Sequence, residues 1–224
     1  MSYTWLLFDA DDTLFDYPLA EGKSLRNTFE HFGQVFRSEY LRIYQVFNRQ
    51  VWVEFERGEI SAAGLRLKRL RLLFDEIDLP LDPVDFSQRY LENLAQVSDL
   101  FPVAAEVLKA LSGRYHIALV TNGLKEVQRP RLERSAIRPF IEKIFISEEI
   151  GVAKPAAGFF EAVFQEIGNP PKSEVLIIGD SLTSDIQGGI DYGIDTCWFN
   201  PGGKNTSLQV TYNIGKLGDL LELL

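Results

Sequence analysis

The chain has 224 residues, of which 46% are hydrophobic and 25% charged, and its net charge is −9. That length and balance suit one large domain or a core with a smaller insert, and they exclude a general basic footprint for DNA or RNA. The single cysteine, Cys197, permits no intramolecular disulfide, and no apolar run is long enough to read as a membrane span.

An acidic protein that takes an anionic substrate must hold it with local cations. The segment from Met1 to Phe8 has no basic n-region and its apolar stretch stops at Asp9, so it does not read as a signal peptide. A reducing cytoplasm is the natural compartment.

In chain order, residues 5–8 predict a short buried strand that runs into the acidic loop Asp9-Ala10-Asp11-Asp12-Thr13. From about 22 to 97 the pattern is helical. Phe36, Tyr40, Tyr44, Phe47, Val51 and Phe55 recur at three- and four-residue steps, and so do Tyr90, Leu91, Leu94 and Val97. The aromatic stripe is expected to form that region's own core, and the cluster Arg66, Lys68, Arg69 and Arg71 a solvated helix face. Pro102 suits the first residue of a helix and Gly113 its end. Residues 117–120 predict a strand that His116 opens as a packing residue, and 144–146 a shorter one. A helix is expected to start near Pro155 and end before Gly168, followed by strands at 175–178 and 196–199.

Apolar strands that alternate with helices imply a mostly parallel sheet covered on both faces. The expected fold is therefore α/β, a Rossmann-like doubly wound core over residues 1–16 and 99–224. An all-helical insert fills 17–98.

Four polar clusters each follow a predicted strand: Asp9 to Thr13, Thr121-Asn122-Gly123, Lys154-Pro155, and Gly179 to Asp185. In an open parallel sheet the ligand crevice lies outside the carboxyl ends of the strands, so all four should meet at one edge. Several carboxylates crowded there repel one another unless a cation is present. Oxygen ligands with few histidines favour Mg²⁺, with Mn²⁺ as the alternative. A metal held by Asp9 and Asp180 would screen a phosphate dianion approaching Asp9. Lys154 would add positive charge, and the Thr121 hydroxyl and nearby backbone N–H groups would donate hydrogen bonds. Asp9 could then attack phosphorus, and Asp11 could protonate the leaving oxygen and later deprotonate water. Asn122 and Ser181 either touch the phosphate or only shape their loops, whereas Asp12 and Thr13 read as residues that hold the first loop. Asp185 could also be merely a helix cap.

These four clusters, in their order and approximate spacing, resemble the signature motifs of the haloacid dehalogenase superfamily over nearly the whole chain. The resemblance implies that Asp9 is the nucleophile and Asp11 the acid/base, which also lends its backbone carbonyl to the metal. It implies that Lys154 is the third-motif lysine, that Asp180 is a direct metal ligand, and that Asp185 reaches the metal, often through water. The helical insert then corresponds to a cap that closes over the site. The family commonly has Gly where this chain has Asp12. The string Asp-Ala-Asp-Asp-Thr resembles the branch of nucleoside 5′-monophosphate phosphatases that accept pyrimidine and non-canonical nucleotides. The implied partner is a small phosphorylated metabolite, a nucleotide first, and neither a nucleic-acid polymer nor a membrane, for a monomer or small homo-oligomer. Phosphatases of other small metabolites and a phosphosugar mutase share the same motifs.

Tyr17, just after the first motif, and Arg57 with Glu59, in a turn of the insert, are the candidates for reaching the leaving group; Gly123 is a candidate phosphate contact. Gly179-Asp180-Ser181-Leu182 also spells an esterase nucleophile string. That chemistry needs a histidine beyond the serine, and both histidines, His31 and His116, precede it. Cys197 in an apolar strand is expected to pack in the core, and Gly202-Gly203-Lys204 to form a surface turn.

Overall fold

The computed structural model describes residues 3–224. Met1 and Ser2, which the sequence reading assigns to the core, lie outside the described residues. The chain divides into two compact units. One comprises residues 3–17, Ser98–Lys125 and Leu132–Leu224; the other comprises Pro18–Val97 and Glu126–Arg131.

The first unit is built on a six-stranded sheet in the order β3-β2-β1-β4-β5-β6, every neighbouring pair parallel. Its strands are β1 (Trp5–Phe8), β2 (His116–Thr121), β3 (Lys143–Ile146), β4 (Val175–Gly179), β5 (Asp195–Phe199) and β6 (Tyr212–Ile214). The alternation of side chains across a strand explains the two cores. Leu6, Phe8, Leu119, Leu176, Ile178 and Cys197 face one layer with Val107, Leu108 and Leu111. Trp5, Leu7, Ala118, Val120, Val175 and Ile177 face the other with Phe159, Phe160 and Val163. A sheet buried on both faces requires apolar residues at nearly every position, which is why its strands read as short continuous runs.

The sheet order reverses at β1 and β4, which lie side by side. Such a switch point leaves a crevice beyond the carboxyl ends of the two strands, because the chain leaves them toward opposite faces. Asp9 follows β1 directly and Asp180 follows β4. The strands expected at 5–8, 117–120, 144–146, 175–178 and 196–199 are all present; β6 is additional. Pro102 does not start α5 (Ala104–Leu111), because Val103 precedes the helix in a left-handed conformation at φ 60°. Ser112, not Gly113, ends that helix. The helix expected from Pro155 begins two residues later, at Ala157.

The second unit holds four helices, α1 (Tyr17–His31, whose first residue belongs to the other unit), α2 (Ser38–Glu56), α3 (Ala62–Ile77) and α4 (Pro83–Gln96). Ser61 caps α3 by accepting from the Gly64 N–H, and Asp82 caps α4 by accepting from the Val84 N–H, with Pro83 at the first helical position. Phe86 lies at the centre of the core, with the rings of Phe29, Phe32 and Phe74 at 5.3, 5.5 and 5.0 Å. Residues 126–131, part of α6 (Lys125–Arg134), join this unit, although the sequence reading gave all of 99–224 to the core. The tie is visible in a two-pronged ion pair: Arg66 Nε and Nη2 donate to Glu126 Oε1 and Oε2 at 2.7 and 2.5 Å.

The buried stripe of α2 differs from the expectation. Phe36 precedes the helix, and the fully buried positions are Tyr44, Asn48 and Val51. Asn48 sits inside because it donates to Glu21 at 2.8 Å and accepts from Arg69 Nη1 at 3.0 Å. Arg69 is therefore not part of a solvated face. It is buried, with its guanidinium 6.0 and 5.4 Å from the ring centres of Tyr44 and Tyr90. Lys68 also pairs inside the unit, with Glu54 at 2.6 Å. Helical periodicity cannot separate an inward arginine from an outward one; only its partners on α1 and α2 do.

Candidate active site

The candidate site is assembled at the carboxyl ends of β1, β2 and β4. Lys154 is buried among them, and its ammonium has three protons and three acceptors. It donates to Asp9 Oδ1 at 2.8 Å, to the Val120 carbonyl at 2.8 Å and to Asp185 Oδ1 at 2.6 Å. One lysine thus anchors itself to the end of β2 and holds two carboxylates in fixed orientation. Burial alone would discharge the ammonium, but Asp185 and Asp9 outweigh it and hold the lysine charged, above its ordinary range.

Lys154 is itself held by Asn122. The Asn122 side-chain amide donates to the Lys154 carbonyl at 2.8 Å, and its oxygen accepts from the Lys154 N–H at 2.9 Å. This two-way clamp occupies the amide that the sequence reading offered to the substrate. Thr121 ends β2, and its hydroxyl oxygen accepts from the Gly123 N–H at 3.0 Å. The Thr121 proton remains available to donate, while the Gly123 N–H, expected at the phosphate, is taken up within the turn.

Asp9, Asp180 and Asp185 each offer a carboxylate oxygen within 4.8 Å of the others. Asp185 is buried in a π-helical turn, Leu182–Gln187, whose first residues are capped by Ser181 Oγ accepting from the Ser184 N–H at 3.1 Å. Its second oxygen accepts from the Ser181 N–H at 3.1 Å. A Cβ on Gly179 would lie 2.2 Å from that oxygen, so only glycine lets the end of β4 approach Asp185 this closely. Asp180 accepts from the Thr13 hydroxyl at 3.3 Å, and its backbone carbonyl accepts from the Trp198 indole at 2.9 Å.

Three carboxylates against one ammonium leave an excess of two negative charges in a largely buried cluster. The protein without a cation answers by holding protons. Burial first, then the neighbouring carboxylates, push Asp9 up to about 8 against the pull of Lys154, and burial with Asp9, Asp185 and Asp12 pushes Asp180 up to about 9. A divalent cation with a preference for oxygen matches both the donor set and the charge imbalance.

The remaining sequence candidates are placed as follows. Asp11 is half-buried, its backbone is bridged to Phe15, and its charge acts on Asp9. Asp12 has φ 60°, in the left-handed region. Tyr17 is the half-buried first residue of α1. Arg57 follows α2 in an exposed turn of the second unit, 3.9 Å from Glu59. His116 is exposed, stacks on Trp5 and pairs with Glu142 at 2.9 Å. Cys197 is buried, and burial pushes its thiol up to about 12. The clamp by Asn122 and the close approach at Gly179 were not legible in the sequence, because each depends on a partner distant in the chain or on backbone spacing.

A family model described as haloacid dehalogenase-like hydrolase matches residues 3–193. Pyrimidine 5′-nucleotidase YjjG of Escherichia coli is 33% identical over 100% of this chain and 99% of its own length. Pyrimidine 5′-nucleotidase PynA of Streptococcus pneumoniae is 37% identical over 100% of this chain and 96% of its own. The crystal structure of YfnB from Bacillus subtilis, bound to magnesium, superposes with a TM-score of 0.94 at 35% identity, covering 100% of this chain and 99% of that one.

Proposed function

We propose that this chain, which belongs to the haloacid dehalogenase-like hydrolase family, hydrolyses phosphomonoesters through a phospho-aspartate on Asp9, with nucleoside 5′-monophosphates, pyrimidines first, as its substrates. The family generally uses Mg²⁺, and the YfnB structure carries magnesium. The observation that carries the reading is the Lys154 ammonium bridging Asp9 and Asp185 beside Asp180 at the sheet's switch point. Asp9, Asp180 and Asp185, with the Asp11 carbonyl, would hold the cation; Mn²⁺ is the alternative ion. When bound, the cation supplies the positive charge that lets a phosphate dianion approach a carboxylate.

The chain's own residues then divide the work. Lys154 points one Asp9 oxygen and leaves the other for attack. That oxygen bonds to phosphorus while the bond from phosphorus to the leaving oxygen breaks, and Asp11 gives the leaving alcohol its proton. Thr121 donates its hydroxyl proton to a phosphoryl oxygen. The Asp11 carboxylate next takes a proton from water, whose oxygen bonds to phosphorus as the Asp9–phosphorus bond breaks. Inorganic phosphate leaves, and both aspartates return to their starting states. Asn122 acts as a positioning residue that keeps Lys154 in place. The helical unit, Pro18–Val97 with Glu126–Arg131, is the proposed cap, and Tyr17 and Arg57 are the proposed contacts to the leaving group.

The substrate class is supported by the two nucleotidase relatives, each aligned over the whole chain. The test is phosphate release from nucleoside monophosphates, hexose phosphates, phosphoglycolate and alkyl phosphates at equal Mg²⁺ and pH. Pyrimidine nucleotides should give the highest kcat/KM. A win by a two- or three-carbon phosphate would remove the nucleotide assignment and leave the phospho-aspartate in place.

A further inference from the structure

Trp198 lies in β5 opposite Gly179 of β4 and is buried. An indole has one N–H and no acceptor, and a buried one needs a partner. The partner here is a backbone group beyond the end of the neighbouring strand: Trp198 Nε1 donates to the Asp180 carbonyl at 2.9 Å. The nitrogen of that same peptide, the Ser181 N–H, donates to Asp185 Oδ2 at 3.1 Å. The peptide is trans and planar, so its carbonyl and its N–H point to opposite sides. The two bonds therefore grip one rigid plate from both edges. That plate links two of the three clustered carboxylates. Asp180 is attached to one corner of it and carries the side chain that accepts from Thr13 at 3.3 Å, and Asp185 is hydrogen-bonded to it. The other Asp185 oxygen is fixed by Lys154 at 2.6 Å. The assembly has little slack, since a Cβ on Gly179 would come within 2.2 Å of Asp185 Oδ2.

Resting on the metal reading above, we infer that Trp198 is a positioning residue of the cation site: by holding the Asp180–Ser181 peptide it sets the directions of Asp180 and Asp185 together. Loss of the indole N–H frees the plate to rotate. The Ser181 N–H then turns away from Asp185, and the Asp180 side chain turns with its own backbone. A donor on the carbonyl also polarises the peptide, which strengthens the bond that its N–H makes to Asp185. Magnesium demands near-ideal octahedral geometry, so its affinity is sensitive to misdirected ligands. Groups that orient metal ligands are typically worth about 10–100-fold in metal affinity. If the bond served only to satisfy a buried N–H, Trp198 would matter for stability alone; the two roles part in metal binding.

The test needs no substrate and uses the purified, metal-stripped full chain. Titration calorimetry with Mg²⁺, at a temperature where each protein is folded, is paired with the metal-free melting temperature. Trp198→Phe removes the indole N–H and part of the ring system. Replacement of Trp198 by benzothienylalanine puts sulfur in place of the N–H and keeps the bicyclic shape. Phe199→Leu is a packing change on the opposite face of the same strand. Both Trp198 replacements should need about tenfold more Mg²⁺ for half-saturation. Phe199→Leu should melt lower than the parent and bind Mg²⁺ as the parent does. A benzothienylalanine protein with the parent's affinity overturns the inference, whatever Trp198→Phe does, and so does an equal weakening in Phe199→Leu. If Trp198→Phe does not fold, the replacement of matching shape decides alone. A parent that shows no Mg²⁺ binding overturns the metal reading itself, and this inference with it.

Discussion

Both compact units bury a cation, and they do so in opposite ways. Lys154 meets two carboxylates directly, at 2.8 and 2.6 Å, with a third within the same cluster. Arg69 reaches the Glu21 carboxylate through the Asn48 amide, and two tyrosine rings lie near its guanidinium. The Arg69 network has cations enough for its acid: Glu21 lies across Asn48 from Arg69, the Arg49 charge also acts on it, and its second oxygen accepts from Gln45 at 3.0 Å. The Lys154 cluster has an excess of negative charge. A balanced buried network ties α1, α2 and α3 together and asks for nothing more; an unbalanced one is suited to receive an ion and an anionic substrate.

Four measurements break or sharpen that contrast. The largest effect is expected at the nucleophile. Asp9→Asn should fold and release no measurable phosphate, a loss on the order of 10⁴-fold or more. Lys154→Ala should cost about 10²–10³-fold in rate as well as stability. Phosphate release by Asp9→Asn close to the parent's would end the phospho-aspartate reading.

Arg69→Met should cost about 3–5 kcal/mol of stability, since it strands Glu21 in the core. Its kcat per folded molecule should stay at the parent's. Chemical denaturation should also show part of the loss recovered in Arg69→Met/Glu21→Leu, because the second change removes the stranded charge. An Arg69 variant with full stability and lost turnover would erase the distinction between the two networks.

The third measurement is melting temperature against pH, with and without Mg²⁺. In the metal-free protein Asp9 stands at about 8 and Asp180 at about 9. A carboxyl raised in the folded state contributes its full stabilisation below its unfolded value of about 4 and loses it as the pH rises through the folded value. The metal-free protein should therefore melt progressively lower as the pH climbs toward 9. The increment from Mg²⁺ should grow over the same interval, because the ion needs ligands without protons. An increment that is flat with pH would contradict the charge imbalance.

The smallest effect is expected at Ser181. Its hydroxyl caps the turn that carries Asp185, so Ser181→Ala should lose about 1 kcal/mol and keep phosphatase activity. A serine-directed fluorophosphonate should leave the enzyme active. Stoichiometric labelling at Ser181 with matching inactivation would favour the esterase chemistry instead.

Much of this was legible in one dimension. The strands from 5–8 to 196–199 show as short apolar runs because a sheet covered on both faces demands them. The acidic loops show because they follow those runs at once. β6 was missed: Tyr212–Ile214 is three residues long, with one exposed and one half-buried position, too short for any period to emerge. Arg69 was misplaced because a helix stripe records spacing and not the identity of what lies opposite.

The sequence by itself determined the residue types at each strand end, the alternation that makes the sheet parallel, and the helical character of the insert. These are local properties, set by hydrophobic period and by side-chain chemistry. Tertiary structure alone decided that Lys154 meets Asp9 across 145 residues of chain, that Asn122 clamps it across 32, and that Gly179 must lack a side chain beside Asp185. Each of those depends on two backbones brought within a few ångströms by the order of strands in the sheet, and that order is a product of packing over the whole unit.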